Sequence, residues 1–357
     1  MNKKINNITL VLLALFFIFI QYGLKSKEIR VKSSYYNEMM AASEKMKIMS
    51  EEIKNERIRK GIEIDKNLDF NETGIIGEEW SGITTTLGNL ESKRTSTNPD
   101  FAALLVKLFK ETGLKKGDII AANLSSSFPA LNLSLIAAAD TLGLNAIMVN
   151  SVGASTYGGN IEDFTYLDME NYLFSKGIIN NKSKGFSLGG IGDLGKEFEE
   201  EVKEKIIERN KKYGLKFFYN GNLEENIEER YNYFIKESDK RIKAFVNIGG
   251  NILSVGDSVD IIVNTKIILD KKTNIKKGLV GKFLNDEIPV FYLLNLKGIT
   301  ATYNLPFDQN NLKNKTISDI YFEKKSDIWN YLIIISFFLF MIKMVFMKKN
   351  KKNYKKC

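Results

Sequence analysis

The stretch that decides the fold is Asp118–Asn150, DIIAANLSSSFPALNLSLIAAADTLGLNAIMVN. An apolar run at each end, Asp118–Leu124 and Asn145–Asn150, has the composition of a buried strand, and Phe128–Leu142 between them carries alanines at helical spacing. Strand, helix and strand in this order predict two parallel strands joined by a crossover helix. The serine-rich turn before the helix then lies at the carboxyl edge of the sheet, where ligands bind in such folds.

The alternation of strand and helix patterns continues along the chain. It predicts an α/β fold with a mostly parallel sheet and flanking helices. The further predicted elements are a short strand at Gly185–Leu188, a helix over Lys196–Tyr213, a strand at Leu215–Asn220, a helix over Glu224–Asp239 and strands at Ala244–Ile248 and Pro289–Leu294.

Another helical pattern precedes the sheet. Apolar residues recur there at alternating spacings of three and four residues, which predicts an amphipathic helix over Ser33–Lys60. We interpret this helix as a stalk whose apolar stripe packs on the domain or on a partner's helix. The stripe consists of Met39, Ala42, Met46, Met49 and Ile53.

Both ends of the chain carry apolar segments. Ile8–Ile20, extendable to Leu24, predicts an uncleaved transmembrane helix, because no small-residue cleavage pattern follows it. Ile328–Phe346 predicts another, with Trp329 and Tyr331 at the membrane interface. The lysine-rich tail favours a two-pass protein with both termini in the cytoplasm and the main domain outside it.

These patterns divide the chain into segments. We predict a transmembrane helix at 1–27, a stalk helix at 28–64, a linker at 65–96, an extracytoplasmic α/β domain at 97–325, a transmembrane helix at 326–347 and a basic cytoplasmic tail at 348–357.

Composition excludes several classes of function. The chain has no histidine and its one cysteine is Cys357, which excludes histidine-dependent triads, histidine-ligated zinc and a cysteine nucleophile in the domain. The net charge of +9 comes from lysines at the two ends, so that 5–342 is formally neutral. Nucleic-acid binding requires a basic face. We therefore expect no nucleic-acid partner. We also expect no metal and no cofactor.

Four loops at the expected carboxyl edge hold the candidate site. At Ser125–Phe128 we expect backbone N–H groups to receive a carboxylate or phosphate, although a well-capped helix explains the same residues. A serine nucleophile there would need a lysine base, and the neighbouring sequence nominates none. The candidate ligand-binding residues are Ser125, Ser126, Ser127, Phe128, Ser151, Gly153, Ser155, Gly189, Gly190, Gly192, Asp193, Gly249, Gly250 and Asn251.

The third loop contains the pattern G-x-G-x-x-G at Gly190–Gly195, which also occurs in dinucleotide-binding folds. Asp193 would place a negative charge beside a pyrophosphate, and the next predicted strand ends in Asn220 where such folds carry a ribose-binding acid. Tight turns that pack helix on strand explain these glycines better.

Four acids follow the second loop: Glu162, Asp163, Asp168 and Glu170. A hard cation needs about six or more converging oxygens. We interpret these acids as side chains at a loop–helix junction, with cation binding as the alternative.

Taken together, several segments resemble the bacterial poly-gamma-glutamate system protein family. That family accompanies the ligase and the membrane subunit that make and export poly-γ-glutamate, and the resemblance implies those subunits as partners and the bacterial inner membrane as the location. It covers 92–256 and carries no mechanism over. The segments are SKRTSTNPDFAALLVKLFKETGLKKGD (Ser92–Asp118), SSSFPALN (Ser125–Asn132), SVGAS (Ser151–Ser155), FTYLDME (Phe164–Glu170), SLGGIGDLG (Ser187–Gly195) and NIGGN (Asn247–Asn251).

These lines combine into one leading hypothesis and two alternatives. The leading one is a membrane-anchored accessory protein of poly-γ-glutamate synthesis or export that binds the polymer or the synthase's membrane subunit. The first alternative is a hydrolase or transferase acting on γ-glutamyl chains through Ser125–Ser127 or through Asp163, Asp168 and Asp193. The second is a scaffold of the synthase complex that docks through its spans and stalk.

Overall fold

In a computed structural model, the described residues are 14, 16–18, 28–256, 264–269, 275–312, 317–326, 335–337 and 339. The chain forms two compact units. One is Tyr35–Tyr321, which contains the predicted site, and the other combines Met1–Ser34 with Phe322–Cys357.

The strands alternate with helices, as the sequence predicts. The strands are β1 (Glu28–Lys32), β2 (Thr84–Thr86), β3 (Ile119–Ser125), β4 (Asn145–Ser151), β5 (Ala154–Ser155), β6 (Gly185–Ser187), β7 (Lys216–Phe217), β8 (Ile242–Ile248), β9 (Ile268–Leu269), β10 (Val290–Leu293) and β11 (Phe322–Ser326). The α-helices are α1 (Tyr36–Arg59), α2 (Leu90–Ser96), α3 (Asp100–Glu111), α4 (Pro129–Leu142), α5 (Tyr166–Ser175), α6 (Glu200–Lys212), α7 (Leu223–Glu237), α8 (Ile252–Val255), α9 (Gly278–Asn285) and α10 (Leu296–Tyr303).

A seven-stranded sheet in the order β7–β6–β4–β3–β8–β10–β9 forms the centre of the larger unit. Neighbouring strands are parallel except β10 and β9, which pair antiparallel, so the sheet is mixed. The predicted α/β fold is therefore confirmed, with a mixed sheet in which five of the six strand pairings are parallel. In addition, β2 and β5 form a separate parallel pair.

The unit β3–α4–β4 places the first predicted loop. Pro129 occupies the first turn of α4, where its missing N–H leaves no hydrogen bond unmade. Gly143 ends the helix with a φ of 66°, a left-handed conformation that glycine adopts at little cost. Ser125 at the end of β3 lies beside Ser151 at the end of β4. The loops that follow these strands therefore open at one edge of the sheet.

Helices cover both faces of the sheet. On one face, Phe234 of α7 and Phe283 of α9 pack in a cluster with Phe245 of β8. On the other, Phe291 meets Phe109 of α3 edge to face, with ring centroids 4.9 Å apart. The alternation of side chains along β10 sends Phe291 to the face opposite Val290.

The helix predicted as a stalk is a layer of the domain. Helix α1 packs against α3 and α4, and all five residues of its apolar stripe are fully buried. At its end, Arg57 donates to the carbonyl oxygens of Gly74 (3.1 Å) and Ile76 (2.5 Å) and so holds the next segment. The segment predicted as a linker, 65–96, is itself structured and contains β2 and α2.

The smaller unit contains an antiparallel pair. Strand β1 pairs with β11, with Glu28 opposite Ser326 and Lys32 opposite Phe322. The Arg30 guanidinium lies 3.7 Å from the centroid of the Phe322 ring, a cation–π contact.

The predicted membrane topology is wrong. Among the described residues, no helix has both the length and the apolar character that crossing a bilayer requires. This finding contradicts transmembrane helices at 1–27 and 326–347 and with them the two-pass inner-membrane localisation. Most of both segments, and the tail at 348–357, lie outside the described residues. Apolar composition alone does not define a spanning helix, and the first run, Ile8–Ile20, is shorter than the usual length of about 20 residues.

Glu170 of α5 links that helix to the segment before β6. Its carboxylate is buried and accepts hydrogen bonds from the Tyr166 hydroxyl (2.9 Å), the Ser183 hydroxyl (3.0 Å) and the Ser183 N–H (2.9 Å). Burial outweighs these bonds and raises the pKa of Glu170 from 4.5 to about 7. The folded state therefore holds this proton more tightly than the unfolded chain does.

From this pKa we expect a specific pH dependence of stability. Because the folded-state pKa is raised, the free energy of unfolding should fall by roughly 1 to 3 kcal/mol as the pH rises from 4.5 to 7. Glu170→Gln has no proton to release, so its profile should be flatter over the same range. Urea denaturation of both proteins across this range measures the difference, and parallel profiles would contradict a raised pKa at Glu170.

Candidate functional site

A cavity of about 570 Å³ opens at the carboxyl edge of the sheet. This volume lies within the range of about 300–1,000 Å³ that is typical of small-molecule sites. The loops after β3, β4, β6, β8 and β10 form part of its wall, and Thr85–Gly88 together with Asn89, Ser92 and Lys93 form the rest. The cavity thus lies at the edge where ligands bind in folds of this kind.

The structure brings most of the predicted residues together. Those that line the cavity are Ser125, Ser127, Phe128, Ser151, Gly153, Ser155, Gly190, Gly250 and Asn251. Those outside its lining are Ser126, Gly189, Gly192, Asp193 and Gly249.

The serine-rich turn is not the anion cradle that we expected. The N–H of Ser126 donates to the Ser151 carbonyl (3.0 Å), that of Ser127 to the Ser125 hydroxyl (3.2 Å) and that of Phe128 to the Ser125 carbonyl (3.2 Å). The Ser126 hydroxyl, fully buried, donates to Asn150 Oδ1 at 2.8 Å. These donors already have acceptors within the protein, so a bound anion needs another donor.

That donor is Lys93, which reaches the cavity from α2. Its side chain is 2% exposed, and its Nζ donates to the Ser155 hydroxyl at 2.5 Å and to the Ser127 carbonyl. The Nζ also lies 4.1 Å from the centroid of the Phe128 ring. In the described part of the chain, no carboxylate lies within ion-pairing distance of it. Lys93 is thus a buried cation with no neutralising carboxylate among the described residues.

Burial lowers the pKa of Lys93 from 10.5 to about 7, because the buried ammonium loses its hydration. Near neutral pH the side chain therefore exists both as an ammonium, which can bind an anion, and as an amine, which can accept a proton. This property is typical of functional sites more than of structural lysines.

Glu197 supplies a negative charge to the cavity, opposite in sign to that of the Lys93 ammonium. It is the one carboxylate among the described lining residues, and its Oε1 accepts the Ile191 N–H at 2.9 Å. Its Oε2 is buried and has no hydrogen-bond partner among the described residues. The described lining of the cavity thus carries one cationic side chain, Lys93, and one carboxylate, Glu197.

The glycine-rich loop is held from behind the cavity. Asp193, fully buried and with a φ of 67°, forms an ion pair with the buried guanidinium of Arg230 at 2.9 Å. Its other oxygen accepts from the Ser187 hydroxyl (2.8 Å) and from Asn251 Nδ2 (3.1 Å). Asp193 therefore fixes two cavity loops relative to each other.

Three of the four acids after the second loop, Glu162, Asp168 and Glu170, have structural partners, whereas Asp163 is exposed. Glu162 accepts the Gly82 N–H at 2.7 Å, and Asp168 accepts from the Thr165 N–H at 2.7 Å and lies 3.0 Å from Arg209. Within the described ranges, no cluster of three or more metal-ligating side chains occurs. Cation binding by these acids thus has no support among the described residues.

Sequence reasoning missed the α2 side of the site. Lys93 is one of many lysines in the chain, and a lysine in a short helix usually faces solvent. Its one signal was its position inside the segment Ser92–Asp118 that carries the family resemblance. Its contact with Ser155 joins residues 62 positions apart, which no local pattern reveals.

Comparisons with known proteins add no relative: no protein-family model, no curated protein and no solved structure matches this chain. The resemblance to poly-γ-glutamate system proteins therefore stays a prediction.

A substitution at Lys93 separates a structural role from a functional one. Because a buried ammonium without a counterion costs stability, we expect Lys93→Met to have a melting temperature equal to or above that of the wild type at pH below 7. Differential scanning calorimetry measures this, with the exposed Lys205→Met as the matched control. A loss of more than about 2 kcal/mol would show that Lys93 mainly holds the loops together.

The opposite result is expected at Asp193. Asp193→Ala leaves the Arg230 charge buried and unpaired and should lower the free energy of unfolding by about 3–5 kcal/mol. Denaturant titration checks this value, and the exposed Asp163→Ala should change it by less than about 0.5 kcal/mol. Adding Arg230→Met to Asp193→Ala should recover part of the loss. A loss under about 1 kcal/mol for Asp193→Ala would contradict the role assigned to the pair.

Proposed function

We propose that this protein is an accessory protein of poly-γ-glutamate synthesis or export and binds a carboxylate-bearing segment of that polymer in the cavity. The observation that carries the proposal is the buried ammonium of Lys93, which has no carboxylate partner among the described residues. The family resemblance supplies the polymer's identity, with the ligase and the membrane subunit of the synthase as partners.

The polymer's repeating unit suits the charges of the cavity. Each γ-linked residue carries one free carboxylate and one amide. The carboxylate can pair with Lys93, and the amide N–H can donate to the carboxylate of Glu197 that lines the cavity. Residues 5–342 carry no formal net charge, so long-range electrostatic attraction does not bring a polyanion to this protein. Recognition of the polymer therefore depends on contacts within this cavity.

Binding through Lys93 is linked to a proton. An anion beside the ammonium raises the pKa of Lys93, so that binding above pH 7 takes up a proton from the buffer. Affinity should therefore be highest below pH 7 and should fall by up to about tenfold per pH unit above it.

We expect calorimetric titration of the full chain with short γ-linked glutamate oligomers to show this pattern. Lys93→Met should abolish measurable binding at low salt, and Lys205→Met, which removes an equal charge from an exposed site, should leave it unchanged. Titrations in buffers of different ionisation enthalpy measure the proton uptake. Equal binding by the wild type and Lys93→Met would show that Lys93 does not bind the oligomers. No binding below pH 7 would contradict the proposal that the cavity binds the polymer.

The rim of the cavity favours a protein partner as a second candidate. Leu87 is 81% exposed and Ile191 63% exposed, and both line the cavity. Exposed apolar side chains beside a ligand site are common where another protein docks. If the synthase subunits bind here, Leu87→Ser with Ile191→Ser should lower their recovery with this protein and leave oligomer binding intact.

A further inference from the structure

We propose that Ser155 and Lys93 form a nucleophile–base pair, and that the cavity performs acyl transfer from an amide or ester to Ser155. This goes beyond binding and does not rest on the polymer as the ligand. The chain contains no histidine, so a serine nucleophile must use another base.

The contact between the two side chains has the geometry that proton transfer needs. Lys93 Nζ lies 2.5 Å from Ser155 Oγ, within reach for a general base. Ser155 is 5% exposed and Lys93 2% exposed, and both line the cavity. The reacting atoms are thus shielded from bulk water but face the space that a substrate would occupy.

Ser127 and Phe128 orient the pair. The Ser127 carbonyl accepts a hydrogen bond from Lys93 Nζ, and the Phe128 ring covers the same group. The Ser127 hydroxyl accepts the Ser155 N–H at 3.0 Å, which fixes the backbone of the nucleophile. One turn at the end of β3 therefore positions both members, as the third group of a catalytic triad does.

Gly88 leaves the approach to Ser155 open. A Cβ at this position would lie 2.8 Å from Ser155 Oγ and 3.0 Å from Lys93 Cε, too close for either atom to keep its place. Gly88 also exchanges hydrogen bonds with Thr156, the residue after the nucleophile: its N–H donates at 2.7 Å, and its carbonyl accepts at 3.1 Å. The glycine thus holds the strand beside Ser155 without covering the hydroxyl.

The protonation state of Lys93 suits this role. With a pKa of about 7, roughly half of the side chains are amines at neutral pH and can take a proton. An ordinary lysine with a pKa of 10.5 would supply fewer than one amine in about a thousand at that pH.

The reaction balances with water as the co-reactant. Ser155 Oγ bonds to the carbonyl carbon while its proton passes to Lys93. The carbon–nitrogen bond then breaks, and the leaving amine takes that proton from the Lys93 ammonium. Water attacks the resulting ester and gives its proton to Lys93. The acid product leaves, and the proton returns to Ser155. An amine in place of water would make the reaction a transfer.

Binding and acylation use opposite protonation states of Lys93. The ammonium binds a carboxylate, whereas the amine activates Ser155. A carboxylate that occupies Lys93 should therefore slow acylation, and acylation should speed up with rising pH as carboxylate binding weakens.

A fluorophosphonate probe tests the pair without any polymer. We expect the full chain to form a covalent adduct that peptide mass spectrometry locates at Ser155. Its rate should rise with pH, with an apparent pKa near 7. Ser155→Ala should abolish the adduct, and Lys93→Met should slow it by about 100-fold or more. Ser175→Ala, an exposed serine on α5, should leave it unchanged.

Gly88→Ala gives an independent test that leaves the identities of Ser155 and Lys93 unchanged. It should slow labelling at least tenfold, because its Cβ occupies the approach to Ser155. The proposal is overturned if the wild type is not labelled, if the adduct lies on another residue, or if the rate does not depend on pH near 7. Because the adduct's position is mapped on the wild-type chain, a misfolded variant does not affect this result. Labelling without oligomer binding would reject the proposed function alone, and oligomer binding without labelling would reject the nucleophile alone.

Discussion

The site depends on a buried ion pair that lies behind it. Asp193 and Arg230 are both fully inaccessible to solvent, and removing two charges from water is costly unless each finds several partners. The partners of Asp193 are the Ser187 hydroxyl on β6 and the Asn251 amide in the loop after β8. Arg230 donates to Asn123 of β3 at 3.0 Å. This pair thus fixes two cavity loops relative to each other and to β3 of the sheet.

Lys93 is the opposite case, a buried charge that the structure does not pair. The N–H groups of the serine-rich turn already have acceptors within the protein. Lys93 contacts one carbonyl and one aromatic ring of that turn and the hydroxyl of Ser155 on β5. Such an arrangement costs stability and is retained in proteins where it serves a function. The ion-paired Asp193 thus stabilises the loops that form the cavity. Lys93, which has no carboxylate partner among the described residues, is the group available to a ligand.

Local patterns predicted the sheet well, because a short stretch of sequence such as Asp118–Asn150 is enough to show the alternation of strand, helix and strand. They also placed Ser125, Ser151 and Asn251 at one edge, since parallel strands end together. They missed Lys93, whose role arises from a contact across 62 positions, and mistook the structured segment 65–96 for a linker. The membrane helices were wrong because apolar composition was read as a spanning helix, although the described residues contain none.

The central claim is that Lys93 is a buried, unpaired lysine whose protonation changes near neutral pH. Its Nζ can be titrated directly by nitrogen-15 NMR of the lysine-labelled full chain, with the signal assigned by its loss in Lys93→Met. We predict a pKa of about 7 for Lys93 in the free protein and a higher value when γ-linked glutamate oligomers are bound. A pKa near the ordinary 10.5, unchanged by the oligomers, would contradict it.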